Sequence, residues 1–255
     1  MRRINAGKVV LQVYGDNELA SLAMAEQIIE VFKNKTGMPV YLNLSGGTTI
    51  IPVEQLLTTR FKNNIEWHNL HLFWGDEHAG QPNVSRAWED GKLKQVYDDG
   101  LLLPENYHPI QLDKIANLSE GRLVAEYYDT EIGKTVGRSG FDISIIGLGK
   151  DYHTMSLLPE KDDFVNLALA SKNLVEAINY PSDLYPGIGL RLTMTPFCLR
   201  SLSRRNVMFV TGTDKSSALK EVLSGDVDLH RKPGSLIQIL QDPVVITDEA
   251  AASLF

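Results

Sequence analysis

The chain has 255 residues, enough for a substantial hydrophobic core in one large domain or two small ones. Hydrophobic residues make up 43% and charged residues 22%, which is ordinary globular usage and excludes a largely disordered chain. The 25 Lys and Arg against 32 Asp and Glu give a net charge of −7, which disfavours nucleic-acid and anionic-membrane partners.

The single cysteine and the N-terminal segment both bear on location. Cys198 cannot form an internal disulfide, which favours a reducing compartment. Arg2, Arg3 and Lys8 are not followed by the apolar stretch of a secretory signal, and no apolar run approaches the roughly 20 residues of a membrane helix. We therefore expect a cytoplasmic protein with no membrane partner.

Short apolar runs alternate along the chain with segments of helical period. In chain order they predict a strand at Val9–Tyr14, a helix at Leu19–Lys35, a strand at Val40–Leu44, a helix at Ile50–Lys62, a strand at Leu70–Trp74, a helix at Ser119–Lys134, strands at Ile143–Gly147 and Val207–Thr211, a helix at Lys215–Leu223, a strand at Val244–Thr247 and a helix at Asp248–Leu254. Continuous apolar strands alternating with helices are typical of parallel sheets covered on both faces. We predict one three-layer α/β/α domain over residues 1–255, with a mostly parallel, Rossmann-like sheet.

The loop after the second predicted strand has the composition of an anion site. Ser45, Gly46, Gly47 and Thr48 lie between a strand and a helix start. Paired glycines allow close backbone approach, and the unpaired N–H groups of a helix start attract an anion. A tight turn with an ordinary helix cap is the alternative. No Gly-Lys-Ser/Thr follows, so a nucleoside triphosphate site is not supported.

The loop after the third predicted strand carries two acids and an imidazole. A carboxylate at Asp76 could move a proton, although a solvated acidic loop has the same composition. A metal site built from His68, His71, Asp76 and His78 is conceivable. The sequence contains neither a HExxH nor a CxxC pattern, so we expect no metal.

The loop after the fourth predicted strand is the most informative. Gly147 and Gly149 begin like a dinucleotide-binding fingerprint, but Tyr152 stands where the third glycine would be. Asp151 and His153 lie two residues apart, and a carboxylate beside an imidazole can set its tautomer and raise its basicity. No Gly-x-Ser-x-Gly elbow is present, so a serine nucleophile is not indicated.

Taken in order, these segments resemble the 6-phosphogluconolactonase/glucosamine-6-phosphate deaminase family. The motifs that carry the resemblance are Ser45-Gly46-Gly47-Thr48, Asp76-Glu77-His78, Gly147-Leu148-Gly149-Lys150-Asp151-Tyr152-His153-Thr154-Met155-Ser156-Leu157-Leu158-Pro159, Arg191-Leu192-Thr193-Met194-Thr195, Gly212-Thr213-Asp214-Lys215, and the tail from Pro233-Gly234-Ser235-Leu236 to Asp248-Glu249-Ala250-Ala251. Each motif is weak alone. The ordered set, over roughly residues 10–253, is specific.

The resemblance implies a small-molecule sugar phosphate as substrate and no cofactor. The phosphate would lie at Ser45–Thr48, neutralised by the helix start, Arg191 and Lys215. The other end of the sugar would reach Asp76, Asp151 and His153, with His153 activating water for attack on a lactone carbonyl. The reaction implied is the hydrolysis of 6-phosphogluconolactone, a step of the pentose phosphate pathway, by a monomer or small homo-oligomer.

Leu158 favours the lactonase branch of this family. The deaminase branch has a glutamate at this position, in a His-x-x-x-x-Glu-Pro run, and an apolar side chain cannot relay a proton. An isomerase or deaminase, with Asp76 as base, remains the alternative.

Two departures from the family pattern, at Tyr152 and His78, also leave open a sugar-phosphate-binding protein without turnover. Tyr152 replaces a glycine, which would be strained or would rearrange the loop if the position requires positive φ. His78 replaces an arginine, and Arg86 replaces an asparagine. We expect His78 and Arg86 to be possible oxyanion or carboxylate partners, with Arg86 supplying the charge missing at position 78.

Overall fold

A computed structural model describes residues 1–80, 83–112, 115, 117–159 and 166–255, and only the backbone of residues 83–86. Its strands are β1 (Arg2–Ala6), β2 (Val9–Tyr14), β3 (Val40–Leu44), β4 (Leu70–Trp74), β5 (Asp76–His78), β6 (Tyr107–His108), β7 (Ile143–Ile146), β8 (Val175–Tyr180), β9 (Gly189–Met194), β10 (Asn206–Val210) and β11 (Pro243–Asp248). Its helices are α1 (Asn17–Asn34), α2 (Ile51–Thr58), α3 (Asn83–Asp90), α4 (Leu93–Asp98), α5 (Leu118–Thr135), α6 (Asn166–Ala170), α7 (Pro196–Leu202) and α8 (Ser216–Leu223).

Eight strands form the central sheet, in the order β1-β2-β11-β10-β7-β3-β4-β6. Every neighbouring pair is parallel except β1 and β2. The mixed α/β architecture and the mostly parallel, Rossmann-like sheet are as predicted. Because the carboxyl ends of parallel strands meet at one edge, the loops after β3, β4, β7 and β10 lie together there.

Helices cover the sheet and bury its apolar side chains. Helix α1 starts at Asp16, whose carboxylate accepts the Leu19 N–H at 2.8 Å, and it packs on β2 and β11. In α5, the Tyr128 hydroxyl bonds both the N–H and the carbonyl of Trp74, at 2.9 and 3.1 Å. This buried pair of hydrogen bonds attaches α5 to the end of β4, directly before β5.

A second, antiparallel sheet adjoins the edge of the first sheet at which the carboxyl ends of its strands meet. Its order is β5-β9-β8, and α5 packs against β8 and β9. Gly75 joins the two sheets, because its N–H donates to Leu44 and its carbonyl accepts from Met194. The sequence did not predict this sheet: β5 is only three polar residues long, and β8 and β9 include Glu176, Asn179 and Arg191.

Two predicted helices differ from the structure. The helix predicted at Ile50–Lys62 ends at Thr58, where the hydroxyls of Thr58 and Thr59 bond carbonyls of the preceding turn. The helix predicted at Asp248–Leu254 is wrong. β11 extends to Asp248, whose buried carboxylate accepts the Ala251 N–H at 2.8 Å, and the following residues form turns.

The other predicted elements are confirmed to within one or two residues at each end. Within the described residues, no helix has the length and apolar character needed to cross a bilayer.

Candidate active site

A cavity of about 370 Å³ opens at the carboxyl edge of the central sheet. Its lining residues come from five segments and are Ser45, Gly46, Gly47, Thr48, Thr49, Asp76, His78, Gly147, Leu148, Gly149, His153, Met155, Arg191 and Lys215. The structure therefore brings together every predicted site residue except Asp151, which contacts the cavity through His153, and Arg86.

The anion loop forms one wall of this cavity. It runs from β3 through Ser45–Gly47 into a 3₁₀ turn at Thr48–Ile50, and α2 follows at once. A Cβ on Gly147 would stand 3.5 Å from the Ser45 hydroxyl, so the glycine loop after β7 lies directly against this wall. These residues line the cavity directly before a helix, and the N–H groups of a helix start are those with which the backbone binds anions.

Lys215 is placed by the turn after β10. Gly212 adopts φ +97°, which suits glycine, and its N–H lies 3.1 Å from both oxygens of the buried Asp248 carboxylate. The half-buried Lys215 ends the short 3₁₀ turn that follows. One carboxylate at the end of β11 thus anchors the loop that carries the cation.

His153 and Asp151 form the predicted pair. The Nδ1 of His153 lies 2.5 Å from Oδ1 of Asp151, so Nδ1 carries the shared proton and Nε2 is the basic nitrogen. Partial burial acts to raise the pKa of Asp151, but the hydrogen bond and charge of His153 outweigh it and lower the pKa to about 2. The Asp151 carboxylate is therefore ionised at neutral pH.

Gly149 makes room for that pair. A Cβ at this position would stand 2.0 Å from Nδ1 of His153 and 2.4 Å from Oδ1 of Asp151. The Gly149 N–H also donates to the His153 carbonyl at 2.8 Å, which closes the loop on itself. The second glycine of the motif is thus required by the imidazole and carboxylate packed over it.

Tyr152 occupies a left-handed backbone position, with φ +74°. Its carbonyl accepts the Gly234 N–H at 2.8 Å, and its half-buried side chain packs against the core and does not line the cavity. The position thus requires positive φ, as considered from the sequence, and tyrosine adopts it at a cost of about 1–2 kcal/mol. His153 keeps its place on the cavity wall.

Asp76 is held by a residue that sequence reasoning did not single out. The Ser156 hydroxyl donates to Oδ2 of Asp76 at 2.6 Å. The Ser156 backbone is fixed in turn, because its carbonyl accepts the Tyr180 hydroxyl at 2.7 Å. Ser156 belongs to one of the motifs that carry the family resemblance, and this membership could have identified it from the sequence. Its contact with Asp76 depends on β9, which the sequence did not predict.

His78 and Arg191 face each other across the antiparallel pair β5–β9. In this register Asp76 lies opposite Thr193 and His78 opposite Arg191, so all four side chains share one face. Nη1 of Arg191 lies 2.5 Å from Nε2 of His78. A guanidinium has no acceptor, so Nε2 must accept, and the imidazole is neutral with its proton on Nδ1.

The electrostatics agree with that tautomer. Burial and the positive charge of Arg191 lower the pKa of His78 to about 4, against an opposing effect of Asp76. Burial also lowers the pKa of Arg191, which remains a cation because an arginine titrates far above neutrality.

Arg86 and His71 complete the predicted set. Arg86 lies in α3, and its side chain is outside the described residues, so its predicted role stays a prediction. His71 does not join Asp76 and His78, because its Nδ1 lies 3.2 Å from Nε2 of His108. Within the described ranges, no group of three His, Cys, Asp or Glu side chains has the geometry of a metal site.

The family model described as glucosamine-6-phosphate isomerases/6-phosphogluconolactonase matches residues 15–246. The chain belongs to this family. The match begins after β2 and includes every loop of the cavity, so the resemblance seen in the sequence motifs is confirmed.

Individual members of the family are similar over most of their length. A 6-phosphogluconolactonase of Aggregatibacter actinomycetemcomitans is 28% identical over 199 residues, which are 76% of this chain and 78% of that protein. The 6-phosphogluconolactonase from Trypanosoma cruzi superposes with a TM-score of 0.77 at 20% identity, over 99% of this chain and 98% of its own.

A monomeric glucosamine-6-phosphate deaminase superposes with a TM-score of 0.73 at 20% identity, over 96% of this chain and 99% of that one. Both branches of the family thus share the fold.

Proposed function

We propose that the protein hydrolyses 6-phospho-D-glucono-1,5-lactone to 6-phosphogluconate. One geometric fact supports this above all: the imidazole of His153, oriented by Asp151, opens on the same cavity as the anion loop and Lys215. The similarity to proteins named 6-phosphogluconolactonase over three quarters of the chain points to the same reaction.

The residues divide the work between the two ends of the substrate. The phosphate lies at Ser45–Thr48, where backbone N–H groups, Arg191 and Lys215 share its charge. This holds the lactone carbonyl near His153 and replaces a bimolecular encounter by a fixed geometry.

His153 then acts as general base. Nε2 takes a proton from water, and the hydroxide equivalent forms a bond to C1, giving a tetrahedral oxyanion. Ionised Asp151 stabilises the resulting imidazolium through Nδ1. The intermediate collapses with cleavage of the bond between C1 and the ring oxygen, and that oxygen takes the proton back from His153. Atoms and charge balance without a cofactor.

The side chains around Asp76 would bind the reacting end of the sugar and stabilise the intermediate. Asp76, held by Ser156, lies beside His78 and orients the sugar hydroxyls, while His78 and Arg86 remain the possible partners of the oxyanion or the product carboxylate. Unchanged lactone turnover in Arg86→Ala would remove Arg86 from this role.

The structure gives less support to the deaminase alternative. Leu158 is buried, its side chain has no group that could relay a proton, and its backbone N–H donates to the Tyr180 hydroxyl at 3.2 Å. The position of the deaminase glutamate therefore belongs to the apolar core. Release of ammonia from glucosamine 6-phosphate would establish that branch instead.

The direct test is turnover of the lactone by purified protein, corrected for spontaneous opening. We expect hydrolysis well above that background, and in His153→Asn a fall in kcat of about 100-fold or more, because the general base is lost. The matched control is His68→Asn, at an exposed histidine outside the cavity. A wild-type rate equal to background would overturn the proposal, and thermal stabilisation by 6-phosphogluconate without turnover would then indicate a binding protein.

We further propose that residues 1–255 act as one sugar-phosphate-binding domain, as a monomer or small homo-oligomer in the cytoplasm. The absence of a second cysteine and the negative net charge support this placement. Sedimentation of the purified protein would give the oligomeric state.

A further inference from the structure

The contact between His78 and Arg191 differs from the usual way in which a protein holds a buried arginine. Arg191 is only 9% exposed, and its Nη1 lies 2.5 Å from the imidazole and 3.5 Å from the Ser156 hydroxyl. A buried guanidinium is ordinarily oriented by a carboxylate in a bidentate ion pair. Here the acceptor at hydrogen-bond distance is a neutral ring nitrogen.

The nearby carboxylate is engaged elsewhere. Oδ2 of Asp76 accepts the Ser156 hydroxyl at 2.6 Å and lies 4.0 Å from Nε2 of His78. Among the side chains that the structure describes, none forms an ion pair with Arg191 within 4.0 Å. Its guanidinium is therefore fixed in direction without a carboxylate in direct contact, although Asp76 stabilises its charge from a longer distance. Arg191 lines the cavity together with Lys215.

We infer that His78 is a positioning residue, which orients Arg191 toward the substrate phosphate as a neutral acceptor and leaves its charge available to the anion. This deepens the proposed function, since it rests on Arg191 as a phosphate ligand. A carboxylate at position 78 would orient Arg191 but neutralise it. An apolar residue at position 78 would leave Arg191 charged, but its side chain would be free to move.

The register of β5 against β9 explains how His78 alone can orient Arg191. β5 and β9 place positions 78 and 191 directly opposite each other, so the imidazole reaches Nη1 without displacing the backbone. Acting through Arg191, His78 would affect phosphate affinity, and hence KM, more than kcat. An oxyanion contact, the other role considered for His78, would instead lower kcat.

Three substitutions at position 78 separate these roles. With inorganic phosphate as the probe in titration calorimetry at neutral pH, we expect His78→Gln to keep the dissociation constant within about twofold, because its amide oxygen is a neutral acceptor of similar reach. His78→Leu and His78→Glu should each weaken phosphate binding by about tenfold, the usual scale of one lost hydrogen bond to a charged group. His68→Leu, at an exposed position, is the control.

A double-mutant cycle tests whether His78 acts through Arg191. In an Arg191→Met background, His78→Leu should change phosphate affinity by less than about twofold, because the side chain to be positioned is absent. An effect as large as in the wild-type background would overturn the inference, and so would unchanged phosphate binding in His78→Leu alone. Equal losses of phosphate affinity in His78→Leu and His78→Gln would indicate a folding defect at this position. That result would also contradict the inference.

Lactone turnover is measured separately on the same proteins. Wild-type protein that binds phosphate but does not open the lactone would defeat the proposed function and leave the role of His78 standing. Active enzyme whose KM is unchanged in His78→Leu would do the reverse. Where both hold, KM should rise about tenfold in His78→Leu, with kcat within about threefold.

Discussion

At the scale of single residues, two unusual backbone positions shape the loop that presents His153. Gly149 has no side chain because the imidazole and the Asp151 carboxylate occupy the space, and Tyr152 takes a left-handed conformation that glycine adopts without strain. The first is a requirement of the site. The second is a cost that the packing of the tyrosine ring against the core offsets.

We therefore predict that Gly149→Ala inactivates the enzyme without unfolding it. The added Cβ would overlap Nδ1 of His153, so the imidazole must leave Asp151, and kcat should fall by about 100-fold. Kinetics and thermal melting on the same preparation check this. Gly133→Ala is the control, because no atom lies within 4 Å of its Cβ and alanine favours the α5 helix by about 1 kcal/mol. Wild-type kcat in Gly149→Ala would contradict this account of the loop.

The proximity of these residues could be predicted from the sequence because each motif is local. Asp151 and His153 are two residues apart, and Ser45–Thr48 follow one another, so their proximity requires no knowledge of tertiary structure. The partners of Asp76 and Arg191 could not be predicted in this way. Ser156 reaches Asp76 across 80 residues of chain, and His78 meets Arg191 across 113.

At the scale of elements, the ends of the central strands hold the cavity loops in place. Asp248, the last residue of β11, shows this most clearly. It accepts hydrogen bonds from Gly212, at the turn leading to Lys215, and from Ala251 in the C-terminal turns. The Asp248 carboxylate makes the hydrogen bond of a helix N-cap, but the residues after it form only consecutive turns.

Asp248→Ala should consequently loosen the loop of Lys215. We expect KM for the lactone to rise by about tenfold through poorer phosphate binding, and the free energy of unfolding to fall by about 1–3 kcal/mol because buried N–H groups lose their acceptor. Asp16→Ala is the matched control. It removes the cap of α1, costs about 1 kcal/mol of stability and should leave KM unchanged. A rise in KM in the control, or none in Asp248→Ala, would show that the anchor does not act on the cavity.

The strands of the central sheet were predictable because burial on both faces makes them continuous apolar runs. The second sheet was not. Tyr180, Arg191 and Thr193 serve the site with polar groups, so the strands that carry them lack the apolar signal. The polar side chains that contact the candidate site residues thereby obscured the strands that carry them.

At the scale of the whole molecule, two half-buried histidines make stability depend on pH. Burial is the first cause that lowers the pKa of His71 to about 4, as it is for His78, whereas both titrate near 6.5 in an unfolded chain. Between pH 6.5 and 4 the unfolded state thus binds more protons than the folded state. Stability must therefore rise with pH through this window and fall as the solution is acidified.

We predict lower urea midpoints at pH 5 than at pH 7, with an uptake of up to about two protons on unfolding from these two sites. His71→Gln should flatten the dependence, because it removes one of the two titrating groups. An equal pH dependence in His71→Gln and wild type would mean that the acid sensitivity arises elsewhere.

The central claim concerns the whole cavity: one sugar phosphate spans it, with the phosphate at the anion loop and C1 at His153. A crystal structure with 6-phosphogluconate bound tests this directly. We predict phosphate oxygens within hydrogen-bond distance of the Ser45–Thr48 backbone, Arg191 and Lys215, and the C1 carboxylate within about 3.5 Å of Nε2 of His153. A ligand bound in the reverse direction, or a phosphate site from which C1 cannot reach the imidazole, would contradict it.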